Sequence, residues 1–108
     1  MNEEQLYRTL VELSDVEDFK LELKPSHSAN YWGMYFPARK LIRLYALDEY
    51  GNQYPDEILI KEGLHELTHH IQYNHIPFWT RKRGVMHDEM FWDIYRGMME
   101  KVRLVPAT

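Results

Sequence analysis

Three patterns predict a small α+β domain. Leu6, Leu10 and Leu13 recur at helical spacing, with Tyr7 and Val11 beside them. Phe19, Leu21 and Leu23 alternate with Lys20, Glu22 and Lys24, the period of a half-buried strand. Ile60, Leu64, Leu67 and Ile71 step by four, three and four residues, which draws one apolar stripe along a helix. The expected architecture is a small, mostly antiparallel three-stranded sheet packed with an N-terminal helix, a central helix and a C-terminal helix.

Taken in order, residues 3–14 form the first helix, which Ser14-Asp15 breaks. The strand at 19–24 stops at Pro25, and Ser26 to Asn30 is a polar loop in which His27 has no assigned role. Tyr31 to Phe36 is an aromatic-rich second strand, 37–40 a turn, and Leu41 to Leu47 a third strand. Trp32 and Trp92 are read as core residues. A loop with Gly51, Asn52 and Pro55 leads to Asp56, whose carboxylate can cap the helix that runs to about Tyr73. Gly63 on this helix is expected to permit close approach of the sheet. Asn74 to Val85 reads as a loop carrying the basic triplet Arg81-Lys82-Arg83. The last helix starts near His87-Asp88, ends before Pro106, and buries Phe91, Ile94, Met98 and Val102.

At 108 residues the chain is expected to be one domain, and no repeat or linker divides it. Apolar residues make up 44 % and there is no cysteine, so a core can form while thiolate metal sites, disulfides and cysteine nucleophiles are excluded. The acidic N-terminus has no apolar core of a signal peptide, and no run reaches membrane-spanning length, so no membrane partner and a cytoplasmic location are expected. A net charge of −4 argues against generic nucleic-acid binding, which needs surplus Lys and Arg. Oligomeric state is left open, a monomer being compatible.

The chemistry concentrates in Gly63-Leu64-His65-Glu66-Leu67-Thr68-His69-His70. H-E-x-x-H on a helix puts His65 and His69 on one face, where both imidazoles can reach one zinc ion, with the Glu66 carboxylate beside them as general base. A hydrolytic zinc site uses three protein ligands and an open position, so a third ligand is required. Four residues compete for it. His70 is turned about 100° away from His69 and suits a packing or supporting role. His75 has the metzincin spacing, ten residues after His65, but Gln72 stands where that pattern turns on glycine. Glu89 and His87 both lie at the start of the last helix, and an acidic charge in that first turn also has a purely stabilising role.

His87-Asp88-Glu89-Met90-Phe91-Trp92 resembles the second motif, H-[GD]-x-x-[FW], of the SprT-like zinc metallopeptidases. Trp32-Gly33-x-Tyr35, Ile42-Arg43-Leu44 and Leu64-His65-Glu66-Leu67-x-His69 follow that family's order of parts, and the similarity covers roughly residues 19–104. The resemblance implies a zincin-like fold, His87 as third zinc ligand, and peptide-bond hydrolysis on a protein or peptide substrate. Larger members often append a cysteine zinc ribbon that this chain lacks, and a role in DNA–protein crosslink repair is not carried over. Tyr73, Tyr95 and Arg96 are candidate oxyanion donors, and segment 39–47 a candidate edge strand for an extended peptide. The rival readings are a non-catalytic, metal-stabilised interaction module and a nucleic-acid-associated adaptor with a protease-like fold.

Overall fold

A computed structural model describes residues 1–77, 79 and 86–102. The basic triplet at 81–83, and with it most of the expected 74–85 loop, lies outside the described residues.

Helix α1 (Glu3–Ser14) begins with a reciprocal cap. The Asn2 side chain accepts from the Gln5 amide at 2.8 Å, and the Gln5 side chain accepts from the Asn2 amide at 2.9 Å. It ends where Asp15 turns left-handed, at φ 57°. Its inward face is Leu6, Leu10 and Leu13, all buried.

Strands β1 (Lys20–Lys24), β2 (Gly33–Phe36) and β3 (Leu41–Tyr45) form one sheet in the order β1-β3-β2. The sheet is mixed, not mostly antiparallel: β2 pairs antiparallel with β3, but β1 pairs parallel with it. The short turn Pro37–Lys40 folds β2 back on β3, whereas residues 25–32 carry the chain from β1 past the middle position to the far edge. β3 is therefore the central strand, with Leu41, Ile42 and Leu44 buried. The expected edge at 39–47 is corrected to β2. The third strand is also shorter than expected, Leu47 making only an isolated bridge to Gln53.

Helix α2 (Asp56–His75) spans 20 residues, two more than expected at its C-terminal end. Pro55, not Asp56, occupies the cap position, and Asp56 instead binds the N-terminal ammonium at 2.9 Å. Leu64 and Leu67 meet the core with Leu59, while Ile60 and Ile71 are only partly buried. The helix is enclosed on several sides, touching α1, β2, β3 and helix α3 (Glu89–Val102). Polar residues Glu66, Thr68, His69, His70 and Gln72 are buried along with the apolar ones. Gly63 serves the contact with α1 and not the sheet: a Cβ there would lie 2.9 Å from both Cδ atoms of Leu10. On α3, Phe91 and Met98 are buried and Ile94 and Val102 partly so. The two tryptophans read as core are instead half-exposed, Trp32 at 50 % and Trp92 at 39 %. Among the described residues no helix is long and apolar enough to cross a membrane.

Candidate metal centre

His65 and His69 project from successive turns of α2 with ring centroids 5.4 Å apart. His87 arrives from the turn just before α3, its ring 4.9 Å from that of His65 and 5.1 Å from that of His69. One ring nitrogen from each of the three lies within 4.8 Å of the others, so the group could hold a metal ion. The His65 and His87 Nε2 atoms are 3.0 Å apart. Two neutral acceptor nitrogens repel at that distance unless a proton or a cation lies between them. Donors on a tetrahedral zinc ion stand about 3.3 Å apart, close to what is seen. Burial, reinforced by His87, pushes the His65 imidazole down to about 4, which keeps its lone pair available at neutral pH.

What aligns the three rings is Phe91. This fully buried residue places its ring 4.9 Å from His65 and 4.7 Å from both His69 and His87. His87 is fixed by its neighbour Asp88, which caps α3 by accepting from the Phe91 amide at 2.8 Å. The same carboxylate accepts from Gln72 Nε2 at 2.9 Å and Trp79 Nε1 at 3.0 Å. The residue standing where a metzincin has glycine thus ties α2 to the turn that carries His87.

Glu66 is 8 % exposed and lines the same cleft. Its burial, with the charge of Glu62 nearby, pushes the carboxyl up to about 7. A carboxylate in that range is suited to exchanging a proton near neutral pH. Gly33 on β2 makes room for it: a Cβ there would meet Leu44 Cδ2 at 2.5 Å, the Arg43 carbonyl oxygen at 3.2 Å and Glu66 Cγ at 3.3 Å. The cleft encloses about 490 Å³, and beyond the three histidines and Glu66 its walls include Tyr31, Met34, Tyr35, Tyr73 and Met86.

The other candidates go elsewhere. His75 faces Asp18, with Nε2 to Oδ1 at 2.8 Å, and is not grouped with His65 and His69. His70 is fully buried between Asp18 and Tyr35. Glu89 is exposed in the first turn of α3. Of the candidate oxyanion donors, Tyr73 lines the cleft. Tyr95 stacks on Phe91 at 6.4 Å, and the exposed Arg96 pairs with Asp93. Sequence reasoning missed the cleft walls on β2 and Met86; the packing of β2 against α2, which brings the strand to the cleft, has no local signature. The His27 ring lies 3.3 Å from the Leu47 carbonyl oxygen, away from the cleft.

Comparison with protein-family models, with curated proteins and with solved structures finds no significant match to this chain.

Proposed function

We propose that the chain is a zinc-dependent metallopeptidase of the SprT-like kind, acting in the cytoplasm, with His65, His69 and His87 as the zinc ligands. The observation that carries this reading is the convergence of three imidazoles from two segments beside a buried carboxylate on the same helix. A structural site has no use for a carboxylate held up to about 7 at its rim. Three nitrogen donors also leave a tetrahedral ion one open position, as catalytic sites do. When bound, zinc would supply Lewis acidity, polarising a carbonyl and bringing a water molecule's pKa to about 7.

The chain's own residues do the rest. Glu66 accepts the proton from water at its carboxylate oxygen and delivers it to the leaving amine nitrogen. Phe91 holds the imidazoles in register, and Asp88 holds the turn that presents His87. Among the described residues β2 is paired only on its β3 side, which leaves its other edge along the cleft. An extended peptide added to that edge would run past Glu66. Of the candidate oxyanion donors from the sequence, Tyr73 lines the cleft.

The test is cleavage of a panel of unfolded proteins by the zinc-loaded chain and by Glu66→Gln. The reading predicts that Glu66→Gln keeps its metal and loses cleavage by at least about a hundredfold. Equal cleavage by the two proteins contradicts it.

A further inference from the structure

We propose that Asp18, His70 and His75 form a second divalent-metal site, of zinc or cobalt type, whose histidines lie on a different face of α2 from His65 and His69, the partners of His87. Among the described residues these are the two groups whose ligand atoms all lie within 4.8 Å of one another. Asp18 Oδ1 lies 2.9 Å from His70 Nε2 and 2.8 Å from His75 Nε2, and the two rings are 5.5 Å apart. Zinc bonds of about 2.0–2.1 Å would separate such donors by about 3.3 Å, so occupancy asks for only a small outward movement. Asp18 can make it, being 45 % exposed at its side chain and carried by the segment between α1 and β1.

The far side of His70 faces a hydroxyl that can support a metal-bound imidazole once the ring proton moves to Nδ1. Its Nδ1 lies 2.7 Å from the Tyr35 hydroxyl and 3.2 Å from Asn74 Nδ2. With the proton on Nε2, Nδ1 accepts from the Tyr35 hydroxyl and from Asn74 Nδ2. With the proton on Nδ1, a remaining lone pair of the Tyr35 oxygen, which also takes Asn74 Nδ2 at 3.1 Å, can accept it. An imidazole bound to metal through Nε2 has its proton on Nδ1 and donates it to such an acceptor. His75 and Asp18 are part-exposed, so water can complete the coordination. Two imidazoles and one carboxylate suit zinc, cobalt or nickel more than calcium or magnesium. Tyr35 also lines the cleft of His65 and Glu66, so an ion here would fix the hydroxyl of a cleft residue. The inference stands on its own geometry and does not depend on the peptidase reading.

Zinc content after saturation with zinc chloride and dialysis tests it. The full chain is expected to retain about two equivalents, with His87→Ala, Asp18→Asn and His75→Ala each retaining about one. An Asp18→Asn or His75→Ala protein that retains as much zinc as the full chain overturns the proposal, whatever the full chain's total. A second measurement is independent of variant folding. Nitrogen-15 NMR of the imidazoles should show the His70 proton on Nδ1 in the zinc-saturated protein and on Nε2, facing Asp18, in chelator. A proton that stays on Nε2 at saturation overturns the proposal.

Discussion

Replacing Gly63 by alanine puts a methyl carbon 2.9 Å from both Cδ atoms of Leu10, a residue with no exposed surface. Two effects oppose each other. Alanine is better than glycine inside a helix by about 1 kcal/mol, while forcing a methyl into a filled core costs about 1–3 kcal/mol. Gly63→Ala is therefore expected to lose about 1 kcal/mol. Leu10→Ala alone should lose about 2–5 kcal/mol through the cavity it leaves. In the double variant the clash is gone, the propensity gain remains, and the new methyl occupies part of the vacated space. The double variant should thus be more stable than the sum of the singles predicts by about 1–3 kcal/mol. Urea unfolding followed by tryptophan fluorescence, in chelator, measures each corner of the cycle. Additivity within about 0.5 kcal/mol would mean that α1 does not rest on the metal helix at Gly63.

Two further outcomes follow from the cleft. In the metal-free protein, burial lets Glu66 hold its proton up to about pH 7, whereas the unfolded chain releases it near 4.5. The folded state binds more protons between those values, so stability falls as pH rises through them. Glu66→Gln removes that loss: in chelator it should be more stable than the parent by roughly 2–4 kcal/mol at pH 8 and indistinguishable at pH 4. Equal urea midpoints at pH 8 would contradict the burial of this carboxylate. Phe91→Ala, by emptying the space beneath three imidazoles, should cost about 3–5 kcal/mol in chelator melts, and a loss under about 1 kcal/mol would refute its role as their platform.

The helices were legible because their signals are local. Leu6, Leu10 and Leu13 recur with the helical period and are the buried face of α1. H-E-x-x-H fixes the mutual placement of His65 and His69 by geometry within a single helix. His87 is implied only by a resemblance, because no local rule says which residue of a distant turn returns to α2. The sheet was harder. β2 and β3 adjoin through a four-residue turn, and their antiparallel pairing follows from it. The parallel pairing of β1 with β3 joins strands that are not consecutive, and alternation alone carries no information about partner or direction. Reading 39–47 as an edge failed for that reason, since the central place of β3 depends on β1 returning beside it. The helix cap failed more simply. Pro55 lacks an N–H and has a fixed φ, so it fits the entry to α2 and leaves Asp56 to meet the N-terminal ammonium. Asp18 belongs to no motif and carries no local signal. Its partners His70 and His75 are 52 and 57 residues later in the chain.

The proposed peptidase depends on His65, His69 and His87 together holding one ion beside Glu66. The most direct measurement is zinc content in a His75→Ala background, where only that site remains. About one equivalent is predicted, with the same amount in Glu66→Gln and almost none when His87 is also alanine. A protein with both His75→Ala and His87→Ala that still carries its full equivalent would contradict the claim.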